Sequence, residues 1–325
     1  MILSDKQALR KCIKQVIRQS ETIDTVLFNP LKDDIGLEPM LKSIPGGERL
    51  RAGTGETPIS DRAAEMYAAF NALGIPLNSF EEAGTQQKLY ARETWIREIL
   101  DVMPARNVLT VVPMNAPSTP ANMDNRFVPL LRVEEEQVSI GRYGLNLEAE
   151  AGNIFETSVR LGTRQILLNG FREDFLHYCL LPLAEDHHLI LHLCLDKGRE
   201  LARLLQLMSG FPQVRCVLYM PDTAEEELIS AAQGRQRIYP VIRSLRNMEA
   251  AVSALGFRFH PLAGFSALPE QMLGRWIRIR NQLSDLMTEQ YVKLARTGYE
   301  LTSEAIEKDL SGFLCNNLQD FCGIE

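Results

Sequence analysis

The sequence predicts an α/β protein, specifically a (β/α)8 barrel with an N-terminal helix and a helical insertion after the first strand. Short runs rich in Val, Ile, Leu, Phe and Tyr recur along the chain, with helical stretches between them. Several runs are apolar on both faces, which suits parallel strands covered by helices on both sides. The 325 residues suffice for one barrel, since barrels typically run to roughly 250 residues and accept insertions. An open doubly wound sheet is the structural alternative, although no Gly-x-Gly-x-x-Gly loop follows an early strand.

The predicted elements follow one another in chain order. A charged helix opens the chain, and the eight predicted strands after it are Thr22–Phe28, Asn107–Pro113, Arg126–Val133, Arg164–Leu168, Leu189–Leu195, Val214–Tyr219, Arg237–Ile242 and Phe257–Leu262. Between the strands, Arg199–Met208 and Met272–Met287 place apolar residues at helical spacing. We expect one domain over residues 1–325, with residues 31–105 inserted between the first two strands as a Pro- and Gly-rich loop and helices.

The charge balance argues against two classes of partner. The chain carries 35 Lys and Arg against 42 Asp and Glu, a net charge of −7, so neither nucleic acid nor an anionic membrane surface is expected. No apolar stretch approaches the roughly 20 residues of a membrane span. The first residues form a charged helix start and not a signal peptide. The six cysteines lack Cys-x-x-Cys spacing, which predicts reduced thiols and a cytoplasmic protein.

The first predicted strand lies in the segment IDTVLFNP, residues 23–30. This segment resembles the first strand of the amidohydrolase superfamily, in the branch that contains the uronate isomerases. That strand usually reads as an apolar residue, Asp, a small residue and His-x-His. Ile23, Asp24 and Thr25 fit the pattern, but Val26 and Phe28 stand at the histidine positions, and neither can bind a metal.

The resemblance continues along nearly the whole chain. The segment HHLILHLCLDKGREL resembles the fifth strand and matches its metal-binding histidine with His192, whereas FPQVRCVLYMPD resembles the sixth strand and has Met220 where a histidine usually ends it. The essential Asp that the family has after the eighth strand would fall within Leu262–Ser266, but none of these residues is acidic. The resemblance implies a divalent metal that activates water or polarises a sugar carbonyl, held by about three N or O ligands. Since His192 alone matches, we expect the family metal to be absent and no other cofactor to take its place.

The candidate catalytic residues are the ones that could move a proton without a metal. Sugar isomerisation needs a proton moved between adjacent carbons, and a histidine paired with a carboxylate could perform it. His192 with Asp222 is the candidate pair, and Glu134 is open as the alternative carboxylate. The structural alternative for His192 is a buried histidine bonded to backbone or to a neighbouring carboxylate.

The candidate substrate-binding residues are Arg51, Arg243 and His260. The resemblance implies a sugar carboxylate, which an arginine can hold with two parallel hydrogen bonds. Arg51 lies in the Gly-rich loop after the first strand, and Arg243 and His260 lie near the ends of the seventh and eighth strands. In a barrel, function concentrates where strands end and the following loops begin. A solvated arginine and a structural histidine are the alternatives for Arg51 and His260.

Three functions stay open at this point. The first is a protein without the family's metal chemistry that binds a small anionic, sugar-acid-like ligand or partners an active relative. The second is an active isomerase or hydrolase that acts on a uronate-like substrate with a rearranged site. The third is an interaction module whose barrel mouth is filled by Phe28, Met220 and Phe265. A homo-oligomer is open under each of them.

Overall fold

The computed structural model describes residues 5–26, 61–75, 92–133, 147–261, 265–266 and 268–324. The described chain is an α/β structure in which the strand order of a seven-stranded sheet follows the order of the sequence. The strands are β1 Thr22–Val26, β2 Ala105–Pro113, β3 Phe127–Val133, β4 Gln165–Asn169, β5 Ile190–Cys194, β6 Arg215–Tyr219 and β7 Ile238–Val241. Each pair from β3 to β7 is parallel. The first seven predicted strands are confirmed to within a few residues at their ends.

Helices lie before, between and after these strands, except that β2 and β3 are separated only by the 3-10 turn Pro120–Asn122. The helices are α1 Lys6–Gln19, α2 Asp61–Ala72, α3 Arg92–Val102, α4 Leu147–Leu161, α5 Glu173–Phe175, α6 Leu181–His187, α7 Gly198–Met208, α8 Glu225–Ala232, α9 Leu245–Leu255, α10 Pro269–Ala295, α11 Ser303–Ser311 and α12 Asn317–Cys322. Two π-helical turns, Leu176–Leu180 and Gly312–Asn316, join α5 to α6 and α11 to α12. Within the described ranges, no helix has the length and apolarity that a membrane span needs.

The residues cluster into two compact units. The first comprises residues 1–108, 123–126 and 264–311, and the second comprises residues 109–122, 127–263 and 312–325. The predicted insertion, residues 31–105, contains α2 and α3 of the first unit, and its loop lies outside the described residues. The prediction of one domain over residues 1–325 stays a prediction.

In the first unit, α1 begins at a capping residue, and the long helix α10 is held by an ion pair and by close packing. Asp5 caps α1 by accepting a hydrogen bond from the backbone N–H of Ala8 at 2.9 Å. Arg275 of α10 donates from Nη2 to both carboxylate oxygens of the buried Asp24, at 2.7 and 2.6 Å. A β-carbon on Gly274 would lie 2.1 Å from the carbonyl oxygen of Glu65, so glycine permits the close approach of α10 to α2.

The second unit contains the five parallel strands β3 to β7, most of whose residues are buried. His192 of β5 lies in register with Leu167 on β4 and with Val217 on β6. Because side chains alternate along a strand, neighbours in register share one face of the sheet. α12 packs on this face: Arg215 donates to the carbonyl oxygen of Phe321 at 2.6 Å, and the rings of Tyr239 and Phe321 lie 5.1 Å apart.

The eighth predicted strand, Phe257–Leu262, is not a strand in the structure. In the second unit, His260 makes an isolated parallel bridge to Val241, with its N–H donating to Pro240 at 2.9 Å. Residues 257–259 before His260 and Pro261 after it form no further bridge. In the first unit, Ser266 makes a parallel bridge to Val26. Residues 262–264 lie outside the described part of the chain.

Candidate functional site

The carboxyl ends of the strands in the second unit bring five side chains into one row. Register places Asn169 beside Cys194, Cys194 beside Tyr219, and Tyr219 beside Val241, and the bridge adds His260. Asn169 is exposed and Cys194 is half-buried, whereas the other three are buried. The β4–β5 side of the row is therefore accessible to solvent.

His192 lies on β5 two residues before Cys194, on the same face of the sheet, and is fully buried. Its Nδ1 lies 2.9 Å from the hydroxyl of Tyr219, and its Nε2 lies 3.0 Å from Oε1 of Gln165. The amide nitrogen of Gln165 donates to the carbonyl oxygen of Cys322 at 2.8 Å. A continuous chain of hydrogen bonds therefore runs from Tyr219 through His192 and Gln165 to α12.

The direction of these hydrogen bonds fixes the tautomer of His192. The carbonyl of Cys322 can only accept, so Gln165 directs its NH2 towards it and its Oε1 towards His192. Nε2 of His192 must then carry the proton, and Nδ1 accepts from the hydroxyl of Tyr219. Burial lowers the pKa of His192 to about 3, so the imidazole is neutral near pH 7. Its one lone pair is already used by Tyr219.

Asp222 and Arg243 form a solvent-exposed pair beyond the ends of β6 and β7. Oδ1 of Asp222 lies 3.3 Å from Nη2 of Arg243, and the two side chains are 63% and 37% exposed. The same Nη2 donates to the carbonyl oxygen of Met220 at 2.9 Å. Nε and Nη1 of Arg243 make no hydrogen bond to any residue that the structure describes. The guanidinium thus has a fixed orientation and unused donors.

A buried carboxylate that the sequence analysis missed holds this pair in place. Glu225, at the start of α8, is fully buried and accepts from the backbone N–H of Arg243 at 2.7 Å and of Ser244 at 3.2 Å. Asn247 donates from Nδ2 to Glu225 and to the carbonyl oxygen of Asp222, both at 3.0 Å. Burial raises the pKa of Glu225, and these donors act in the opposite direction. Glu225 and Asn247 therefore fix the backbone on which Asp222 and Arg243 stand.

The charge of Arg243 affects the pKa of Cys194, which belongs to the row of strand ends. Burial raises the pKa of the Cys194 thiol to about 12, while Arg243 acts to lower it and Asp196 acts to raise it. Both charged residues therefore lie near Cys194. None of the six cysteines forms a disulfide, and Cys194 is protonated at neutral pH.

Of the sequence-predicted site residues, the structure brings Asp222 and Arg243 together. No hydrogen bond joins His192 to Asp222, because both imidazole nitrogens bind elsewhere. His260 is fully buried in the row of strand ends. Arg51 and the alternative carboxylate Glu134 lie outside the described residues. The catalytic and substrate-binding roles of all these residues stay predictions.

The described residues do not fit the metal centre that the sequence resemblance implies. Val26 is apolar and buried at the end of β1, and Met220 is buried after β6. The lone pair on Nδ1 of His192 accepts a hydrogen bond from the hydroxyl of Tyr219 and is therefore not available to a metal. Across the part of the chain that the structure describes, no three His, Cys, Asp or Glu residues lie together as metal ligands would.

The fold, compared with solved structures, is that of the uronate isomerases. The structure of a uronate isomerase from Bacillus halodurans C-125 matches 99% of this chain and 98% of its own with a TM-score of 0.86, at 14% sequence identity. A uronate isomerase from Thermotoga maritima matches 99% of this chain and 100% of its own with a TM-score of 0.65, at 8% identity. The resemblance to uronate isomerases in the sequence is thus confirmed for the fold.

Sequence comparisons add no family assignment. No family model matches the chain, and no curated protein matches it. At 14% and 8% identity, the structural matches establish the fold and leave the activity to the site residues.

Proposed function

We propose that this protein binds a small organic anion of the sugar-acid type through Arg243, without the metal of the uronate isomerases. The observation that carries the proposal is the state of this guanidinium. It is 37% exposed just past the end of β7 and keeps Nε and Nη1 unbonded to any described residue. Nε and Nη1 point to different sides of the guanidinium, so each of them can donate one charge-assisted hydrogen bond to an oxygen of an anionic ligand.

The surroundings of Arg243 favour binding because they reduce its ordering cost. Glu225 holds the Arg243 backbone and the Met220 carbonyl holds the guanidinium, so little freedom remains to be lost. Arg51 is proposed as a second anion contact and His260 as a further wall of the site. Asp222, beside Arg243, is proposed to contact ligand as well.

We further propose that the chain closes into an eight-stranded (β/α)8 barrel, with the residues around His260 and Ser266 in the place of the eighth strand. The parallel bridges His260–Val241 and Ser266–Val26 support this arrangement, each within its own unit. Ligand sites of such barrels lie at the carboxyl ends of the strands, which is where Asp222 and Arg243 stand.

Without the metal, the protein is proposed to be a non-catalytic binder, or the partner of an active relative, in the cytoplasm. The non-catalytic role is supported by Val26, Met220 and His192, which do not serve as metal ligands here. Six cysteines without a disulfide support the location. The alternative is an active isomerase on a uronate-like substrate with a rearranged site, and the preservation of the fold over 99% of the chain favours it.

Thermal-shift titration with glucuronate and galacturonate, with and without added Zn²⁺ or Mn²⁺, tests the proposal. We expect a concentration-dependent rise in melting temperature without metal, and none in Arg243→Ala. Arg246→Ala is the matched control, because Arg246 is 88% exposed on the next helix and pairs only loosely with Glu226. Stabilisation that depends on added metal, or turnover of glucuronate by the wild type, would favour the isomerase instead.

A further inference from the structure

The exposed pair beside the row of strand ends is electrically neutral. Arg243 carries one positive charge and Asp222 one negative charge, with 3.3 Å between their closest atoms. A simple carboxylate ligand would gain from Arg243 and be repelled by Asp222. The pair is therefore poorly suited to carboxylate recognition alone.

The hydrogen-bond inventory of the pair specifies what a better ligand carries. Arg243 offers donors only, and the ionised Asp222 offers acceptors only. The single contact between them is 3.3 Å long, whereas charge-assisted N–H···O bonds are typically about 2.7–2.9 Å. Asp222 uses its backbone carbonyl, and not its carboxylate, to bind Asn247. Its carboxylate is thus available to a donor on the ligand.

We propose that Asp222 makes this site selective for carboxylates that carry a hydrogen-bond donor on the neighbouring carbon, that is, 2-hydroxy or 2-amino acids. A uronate carries such a hydroxyl in its open-chain form, whereas the ring oxygen occupies that position in its cyclic form. The inference rests on the proposed function of Arg243 as the carboxylate contact. The ligand carboxylate binds Arg243, and the adjacent hydroxyl or ammonium group donates to Asp222. Carboxylate and donor lie on adjacent carbons, which matches the short distance between the two side chains.

The rigid base beneath the pair makes such discrimination geometrically feasible. Asn247 bridges Glu225 and the backbone of Asp222, and Glu225 binds the backbone of Arg243. Buried hydrogen bonds therefore set the separation of the two backbone positions. A ligand that lacks the donor places its carboxylate near Asp222 without a compensating hydrogen bond, which weakens its binding.

The test compares three-carbon acids that differ in one group: propionate, lactate and alanine. Dissociation constants are measured by NMR titration at low salt, because salt screens exposed charges. In the wild type, we expect lactate and alanine to bind about tenfold more tightly than propionate. In Asp222→Ala, the three acids bind alike, and propionate binds more tightly than to the wild type. Glu226→Ala, which removes a neighbouring exposed carboxylate, leaves the selectivity unchanged.

Asp222→Asn separates the two donors. An amide oxygen still accepts from a hydroxyl but no longer attracts an ammonium group, so the preference for lactate persists and the preference for alanine falls. Equal affinity of the wild type for all three acids would overturn the selectivity, while loss of binding in Arg243→Ala would still support anion binding. If glucuronate and all three acids bind the wild type and Arg243→Ala equally, the proposed function itself fails.

Discussion

Two polar clusters of the second unit behave in opposite ways. Around His192 every donor and acceptor is used, and the side chain is fully buried. Around Arg243 the backbone is fixed by Glu225, and yet the guanidinium is 37% exposed, with Nε and Nη1 bonded to none of the described residues. The contrast shows that a residue type does not decide its role. Burial and partner saturation make one cluster part of the core and leave the other available to a ligand.

The largest expected effect concerns stability at His192. His192→Ala creates a cavity and leaves Gln165 and Tyr219 without a partner, so we expect a loss of about 3–5 kcal/mol in the free energy of unfolding. His192→Gln keeps one donor and one acceptor and loses less. Denaturant unfolding of both variants measures the difference. A loss in His192→Ala no larger than in an exposed-site variant would mean that the buried chain contributes little.

The next effect concerns the base of the exposed pair. Glu225→Ala leaves the N–H groups of Arg243 and Ser244 and the amide of Asn247 without their acceptor, so we expect a loss of about 2–4 kcal/mol and weaker anion binding. Glu226→Ala is the matched control and changes stability by less than about 0.5 kcal/mol. Equal melting temperatures of the two variants would show that Glu225 does not hold the loop.

The pH dependence of stability distinguishes the two clusters further. The pKa of His192 lies at about 3 in the folded chain, below its ordinary value of 6.5. Between these values the unfolded chain binds a proton that the folded chain does not, so stability falls as pH drops, by about 1.4 kcal/mol per pH unit. The stability advantage of the wild type over His192→Gln should therefore shrink from pH 7 to pH 5. Parallel stability curves would contradict a neutral, buried His192.

The smallest effect on stability, with a clear effect on binding, is expected for Arg243→Lys. The exposed side chain contributes little to folding, so the free energy of unfolding should change by less than about 0.5 kcal/mol. Lysine keeps the charge but lacks the planar guanidinium that the Met220 carbonyl orients towards the ligand, and glucuronate affinity should fall about tenfold. Unchanged affinity in calorimetric titration would indicate that charge alone attracts the ligand.

The sequence predicted more of the fold than of the site, for physical reasons. Apolar runs covered on both faces mark parallel strands locally, and seven of them were found at the predicted places. Of the eighth, the described residues 257–261 form one isolated bridge at His260, and Pro261 is no local signal of this because β7 itself contains Pro240. The partners of His192 are Gln165 and Tyr219, each 27 residues away on a neighbouring strand, and no local pattern reveals them.

Glu225 shows the same limit at the site. It stands in a run of three glutamates at the start of α8, which resembles a solvated helix start. Only the fold shows that Glu225 is buried beneath Arg243, whereas the side chain of Glu226 is 69% exposed. The position of Arg243 just past a strand was predictable from the sequence, while its role as a ligand contact stays a prediction.

Isothermal titration of glucuronate into chelator-treated protein tests the central claim most directly. Wild type and Arg246→Ala should bind with the same affinity in the absence of divalent metal, and Arg243→Ala should show no binding heat. Equal binding by Arg243→Ala, or binding that appears only after a divalent metal is restored, would contradict a metal-free anion site at Arg243.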